Sequence, residues 1–576
     1  MILTNYISDN TDKKTRWPKI SQWPKITKIL SFKEKLLFYF FLLLFIGSSF
    51  GWGIIFYYSK TKAVPAFGGE YIEGIVGQPL YINPLLSSSN ETDADLSQLI
   101  YSSLFKYDGE GKIIPDLAEN YELSEDKLTY KISLNKNVHW HDGEIFNADD
   151  VVFTINLISN PAYKSPLRGS WQGIETKLVD DSTIEFKIKN PYVGFLNDLT
   201  FGILPKHLWS SVNPDNFSLN SLNLKPIGTG PYKYSTLQKD SHDNVLSYKL
   251  VSNPDYFSLR PYISKMTFNF YLDENSALDA LNRKEIMGIS LLSSENIASI
   301  KNQKTISIYK TEIPRYFAVF FNRTKSVPLA NDEVRQALSY ATNRKEIIDT
   351  VLGGLGQEAH SPFLSGMTGY LADLEKANFD LDKANKILDD AGWKKGDDNL
   401  RKKDEATLEI NLATVNWDEL TKTAEILKIQ WEKVGVKVNI SSFDISDIQE
   451  NYIRPREYEA LLFGQVVGAD PDPYYFWHSD NKKDPGLNLS LFGNDNSDKL
   501  IDSGRVEFDE AKRAQNYIDF QKILFQENPA VFLYSPSYIY PINQRVQGIN
   551  IKTLISPSNR FSQANLWYIK TKRIKK

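Results

Sequence analysis

An uninterrupted apolar run from Leu36 to Tyr58, LLFYFFLLLFIGSSFGWGIIFYY, sets the strongest limit on how this chain can fold. At ~1.5 Å rise per residue, a helix of that length spans roughly 30 Å, the thickness of a bilayer's hydrocarbon core. Residues 1–35 carry eight basic and three acidic side chains. Such an excess holds a flank in the cytoplasm and sends the chain beyond the helix outward. A cleaved signal peptide has a shorter apolar stretch, roughly 7–15 residues, and a small-residue cleavage site. Here the best downstream site, Val64-Pro65-Ala66, has proline beside the cut. The expectation is a basic cytoplasmic arm over 1–35, an uncleaved signal-anchor over 36–58 and a linker over 59–66. Trp17-Pro18-Lys19-Ile20, repeated as Trp23-Pro24-Lys25-Ile26, fits a juxtamembrane arm with Trp and Lys at the lipid interface.

The chain has no cysteine, which excludes a conventional N-terminal lipid anchor, disulfides and thiolate metal sites. The formal charge is -4, and setting aside the +5 of residues 1–35 leaves -9 for the rest. A mildly acidic exterior argues against nucleic acid as a partner. The basic tail, Lys570, Lys572, Arg573, Lys575 and Lys576, reads as a frayed, solvated end.

Beyond Gly69 strand and helix patterns mix. Leu128–Leu134 and Ile184–Ile188 alternate as half-buried strands. Asn331 or Asp332 can cap a helix with Val334, Ala337, Leu338 and Ala341 on one face. Asp380 can cap another, stopped by Gly392. Leu420, Ala424, Leu427, Trp431 and Val434 line a third, ended by Gly435, and Val436, Val438 and Ile440 then alternate as a strand. Helix followed promptly by strand indicates α/β layers, and a body this long divides into at least two lobes.

Val138-His139-Trp140-His141-Asp142-Gly143 is followed by Asn147-Ala148-Asp149-Asp150-Val151-Val152-Phe153. Asp142-Gly143 signals a turn, and Asn147 or Asp149 a helix cap. Two histidines two apart on a strand share a face, but no third ligand is apparent nearby, so a structural turn is expected rather than a metal site. Adjacent acids at a helix start serve as cap and dipole partner more readily than as a catalytic pair. No phosphate loop of the GxxxxGK[ST] form occurs, Gly353-Gly354-Leu355-Gly356 is too short for a dinucleotide fingerprint, and no cysteine and only six histidines are available as nucleophile or base. An enzyme is not expected.

These blocks resemble the family 5 extracellular solute-binding proteins, the oligopeptide- and dipeptide-binding proteins of ABC importers. The resemblance runs in order from about Gly69 to about Trp567. It rests on Ile114-Pro115-Asp116-Leu117-Ala118-Glu119, on WHDG followed by ADDVVF, and on Leu204-Pro205-Lys206-His207-Leu208-Trp209. Ile227-Gly228-Thr229-Gly230-Pro231-Tyr232, Val334-Arg335-Gln336-Ala337-Leu338-Ser339 and Ala391-Gly392-Trp393 complete it. The resemblance implies an α/β fold: a two-lobed periplasmic-binding-protein-like clamp of type II, in the large peptide-binder class with an extra subdomain, to which the apolar run adds one N-terminal transmembrane helix. It implies a discontinuous lobe I of 67–312 with 537–570, a lobe II of 313–536, and hinge crossings near Ile313–Phe317 and Tyr534–Tyr538. It further implies a monomer without cofactor, a peptide ligand, and ABC-type permease subunits with their ATPase as partners. The clamp would sit at the cell membrane, single-pass, with its C-terminal domain outside.

By the same resemblance, Asp470 falls where an aspartate pairs with the ligand's α-ammonium. Its place between a short strand and Pro471 and Pro473 suits a preorganised charge-assisted bond. Asp472 would face the other side of that loop. Phe476 and Trp477 would wall side-chain pockets. Ser89 and Asn90, in the loop Ser87 to Thr92, match the position that meets ligand backbone. Some oligopeptide binders have an arginine and a tryptophan before the aspartate where this chain has Gly464 and Val467, which leaves open how a ligand carboxylate is held. The same clamp with nickel, haem or sugar as cargo, or as a sensor without transport, is the alternative. The charge asymmetry around Leu36–Tyr58 gives a first test. The full-length protein should stay in the membrane fraction, with residues after Tyr58 open to external protease. A soluble form beginning near Phe67 would overturn the anchor.

Overall fold

In a computed structural model that describes residues 30–372 and 378–576, the apolar run is one helix, Phe32–Lys60. It has no buried side chain and begins with a Ser31–Glu34 capping box. The Trp-Pro-Lys-Ile repeat lies outside the described residues. The helix passes straight into strand Thr61–Ala66, which pairs with the C-terminal strand Lys570–Lys575. The expected linker and the expected frayed tail are therefore a two-stranded ribbon. Its backbone groups find partners that a free end would leave to water: Lys576 N donates to Lys60 O (3.0 Å), and the Arg573 guanidinium donates to Thr61 O and Thr61 Oγ1 (both 2.8 Å). The chain divides into two units, one ending at Pro65 and including Thr571–Lys576, the other Ala66–Lys570.

The larger unit is built on a twelve-stranded mixed sheet. Its centre is Ala530–Asn543, AVFLYSPSYIYPIN, a near-continuous apolar run buried at all but two positions, as a strand covered on both faces must be. Phe317–Phe320 pair with its first part, Tyr534 to Ala530, and Ile306–Glu312 with its second, Asn543 to Ser537. Beyond Arg315–Phe321 lie Ala460–Val466, Glu409–Val415 and Lys437–Phe443. On the other side Gly288–Ile289 leads to Glu70–Val76, Lys265–Tyr271, Val245–Ser252 and Tyr232–Lys239. A separate antiparallel sheet orders Ala118–Leu123, Thr129–Leu134, Thr183–Lys187 and Glu175–Asp180. The apolar interior is divided too. One cluster is drawn wholly from residues 316–534, a second from 71–313 and 538–567, and a small third packs helix Glu274–Asn282.

Most of the expected caps and turns form, although Asn331 takes the cap position of Asp332–Tyr340 without a side-chain bond. Asn147 caps Ala148–Ser159 and Asp380 caps Leu381–Asp390. Asp418–Glu432 is followed by Lys437–Phe443, with Gly435 at φ +85 between them. The blocks at 138–153, 204–209 and 227–232 interlock as one scaffold. Asp150 accepts from Trp140 Nε1 (3.3 Å), Asn147 N (3.1 Å) and Lys206 N (2.9 Å), so it is a structural acceptor. His207 meets Asp142 at 2.8 Å. His141 bonds Gly230 O and Gly228 N, and burial drives its pKa down to about 4. Neutral imidazole serves there as a backbone bridge, and the described residues hold no group of three metal-ligating side chains.

Gly228 and Gly230 press on the C-terminal end of helix Glu91–Ile100, where a Cβ would stand 2.0 Å and 2.6 Å from Ile100 O. Gly228→Ala must therefore push backbone against backbone, and should lower stability by at least the ~1–3 kcal/mol typical of overpacking. Gly169→Ala, with nothing within 4 Å of its Cβ, should be close to neutral. Chemical denaturation of the two variants would check the contrast; equal stabilities would refute it.

Candidate functional site

Helix Glu91–Ile100 begins where Ser87–Ser89 make one tight turn and Asn90 takes the cap, accepting from Thr92 N at 2.9 Å. A buried network fixes this helix from behind. Arg560, fully enclosed, donates to Asp95 Oδ1 (2.7 Å) and Glu73 Oε1 (2.6 Å), while the hydroxyls of Tyr71 and Tyr540 donate to Glu73 Oε2 (2.6 and 2.8 Å). Charge-assisted bonds of this kind fix direction as well as distance. They bind the helix to the sheet and to the turn Pro557–Phe561.

In front of that helix lies a cavity of about 400 Å³. Its walls are Ser87, Ser88, Glu91 and Gln98 from the helix region, Thr200–Gly202, Ile555–Ser558, and Ile313, Arg315 and Val466 beside the central strand. Serine and threonine hydroxyls are spread among apolar side chains such as Leu167, Phe201 and Ile313, so the lining offers scattered hydrogen bonds within a largely apolar wall. Two buried polar atoms in this wall have no partner: the Tyr101 hydroxyl and Arg315 Nε. Burial raises the Glu419 carboxyl above its ordinary range, and the nearby Arg315 charge opposes that shift. Both unpartnered atoms are shut off from solvent, and an unsatisfied buried donor costs roughly 1–3 kcal/mol unless the wall shifts to expose it.

The cavity edge leads into a charged seam. Val466 is four residues before Asp470, and Thr200 two after Asp198. Asp470 is ion-paired with Arg513. Asp472 is not turned away as expected: it is 7% exposed and bound by Arg505 Nε at 2.9 Å. The Arg505 guanidinium lies over the rings of Tyr474 (4.2 Å), Tyr192 (5.0 Å) and Tyr475 (5.8 Å). Gly194 approaches so closely that a Cβ would be 2.5 Å from Asp470 Oδ2. Asp198 accepts no hydrogen bond among the described residues. Withdrawal from water, then the charges of Asp472 and Asp470, push its carboxyl up to about 7, with Arg505 opposing.

The other expected site residues fall differently. Trp477 is 1% exposed, its ring 5.6 Å from Phe532 and 6.2 Å from Phe320; it is core, not a pocket wall, because the strand beneath offers an aromatic bed. Phe476 packs half-buried at the margin of the same core. The cavity takes Ser87 and Ser88, while Ser89 is exposed beside it and Asn90 is occupied as a cap. Sequence reasoning missed Tyr101, Asp198, Arg315, Arg505 and Arg513. No local pattern marks them: Arg505 and Arg513 are fixed by carboxylates distant in the chain, and Tyr101, Asp198 and Arg315 are singled out by the burial that the fold imposes.

A family model for bacterial extracellular solute-binding proteins, family 5, matches residues 112–486. The chain belongs to that family. It is therefore a solute-binding protein with an extracytoplasmic binding domain, not an enzyme. The chain is 27% identical over 500 residues to the oligopeptide-binding protein AppA of Bacillus subtilis, covering 85% of this chain and 90% of that protein. It is 28% identical over 511 residues to the dipeptide-binding protein of Escherichia coli, covering 83% and 91%. The solved structure of Bacillus subtilis AppA with a nonapeptide superposes with a TM-score of 0.72 at 26% identity, covering 88% of this chain and all of that one.

The raised Asp198 carboxyl makes a pH prediction. Its folded pKa of about 7 lies above the ordinary 3.8, so the folded state holds the proton longer and stability falls as pH rises between those values. Asp198→Asn should melt higher than the parent at pH 8 and with it near pH 4. A stability difference that does not change with pH would contradict the assignment.

Proposed function

We propose that this family 5 binding protein is the membrane-tethered capture component of an ABC importer, working as a monomer. It holds peptides in the cavity and delivers them to permease subunits with their ATPase. The charge inventory carries the reading. Asp198, Asp470 and Asp472 face Arg505 and Arg513, so the seam carries one negative charge when Asp198 is ionised, and an arriving peptide ammonium favours that ionised form. Asp470 with Asp198 takes that ammonium. Backbone groups run past Ser87 and Ser88, beside Ser89 and Asn90. The Arg315 guanidinium, in the cavity wall, receives the carboxylate, in place of the arginine that Gly464 replaces. A cavity of about 400 Å³ is at the small end of the roughly 300–1,000 Å³ range of ligand sites, which favours short peptides. Named relatives that bind oligopeptides and dipeptides support the cargo class.

The lobes close over the ligand by rotation where the chain crosses between the two cores, at 313–316 and 534–538. Pro536 interrupts the donor pattern there, and two thin crossings let the halves turn as rigid bodies. The seam at Gly194, Tyr192 and Asp470 is the closing contact.

Titration calorimetry with a short peptide, its N-acetyl form and its C-terminal amide tests both ends. Losing one half of a desolvated charge pair costs ~2–5 kcal/mol, roughly 30- to several-thousand-fold in affinity. Asp470→Ala should lose that much for free peptide, yet lose little more on acetylation. Arg315→Gln should behave likewise toward amidation. This non-additivity separates a direct pair from general damage. Equal penalties in parent and variant would mean that each end is held elsewhere or that the cargo is not a peptide.

A further inference from the structure

We infer that the ribbon of Thr61–Ala66 and Lys570–Lys575 is a juxtamembrane clasp that binds the anionic headgroups of phospholipids. The helix Phe32–Lys60 has 29 residues, longer than the roughly 20 that a bilayer core requires. With the apolar run in the core, Lys60 stands at headgroup depth and no spacer follows it. A strand advances ~3.3 Å per residue, so Lys62 lies only ~7 Å farther on, within the Debye length of about 8 Å at physiological salt.

The ribbon is made of cations. Lys62, Lys570, Lys572, Arg573 and Lys575 belong to it, Lys60 and Lys576 flank it, and no acidic residue occurs in 59–69 or 568–576. The six lysines are exposed. Arg573 is the exception and turns inward: besides its bonds to Thr61 it donates to Tyr58 O (3.3 Å) and lies 4.1 Å over the Tyr58 ring. Tyr57 and Tyr58 are the aromatic type that seats a helix end at the membrane interface. Arg573 thus splices the last turn of the helix to the C-terminal strand and holds the lysines in place. So many like charges in two short strands repel one another and need counter-charge. The rest of the ectodomain is net negative, so the compact source at this depth is lipid phosphate.

The clasp requires neither a particular cargo nor a particular side of the membrane. The test uses the full chain in nanodiscs of equal phosphatidylglycerol and phosphatidylcholine, with the lipids retained after release counted by native mass spectrometry. Each basic residue near an anionic surface contributes roughly fivefold in affinity. The parent should retain phosphatidylglycerol in excess. The variant K570Q/K572Q/K575Q/K576Q, which leaves Arg573 in place, should lower that excess by ~5-fold or more with unchanged melting temperature. The corresponding Lys→Arg variant should keep it. Lack of excess in the parent overturns the clasp. So does an excess that the Gln variant retains, which would place lipid binding on the N-terminal arm.

Discussion

The molecule is organised outward from the strand Ala530–Asn543. Its first part is paired by Arg315–Phe321 and its second by Ile306–Glu312. The two large cores therefore share one backbone. Because both faces are buried, the strand cannot slip by one residue without turning every side chain to the opposite face. A cavity that opens beside Arg315 and Val466 inherits its geometry from this strand. That is why a site built from loops and helix starts can still be well ordered.

Two buried charge clusters obey the same arithmetic and end differently. Glu73 and Asp95 share Arg560, and the surplus carboxylate charge is met by two tyrosine hydroxyls. Nothing is left for a ligand, and the cluster's effect is to hold the helix that forms one cavity wall. In the seam, Asp470 and Asp472 each have an arginine, and Asp198 has none. Its carboxyl moves to about 7 instead. A group that shifts its protonation because no partner is present is where an incoming cation gains most. Peptide capture, as proposed, exploits that difference between a completed network and an incomplete one.

The blocks that make the family recognisable are mostly structural. His141, Asp150, Gly228 and Gly230 hold one another and the end of helix Glu91–Ile100. Arg335, in the Val334–Ser339 block, is fully buried and spends its donors on the carbonyls of Leu329, Glu527 and Asn528. Such residues identify the scaffold without naming the cargo. The residues that face the cavity and seam lie outside those blocks.

The features legible in the sequence are local or additive. The membrane-length helix comes from an unbroken apolar run, the caps at Asn147 and Asp380 from side chains that satisfy nearby backbone donors, and the α/β class from helix-to-strand succession. Family membership comes from six blocks in order. Other features required the folded chain. Trp477 became core because Phe320 and Phe532 lie beneath it. Asp472 was drawn inward because Arg505, thirty-three residues on, reaches back to it. The tail became a strand because Thr61–Ala66 offered an unpaired edge. Sequence patterns report each residue's own preference and that of its near neighbours, whereas burial, ion pairing and strand partnership depend on which distant groups the fold brings to the same few ångströms.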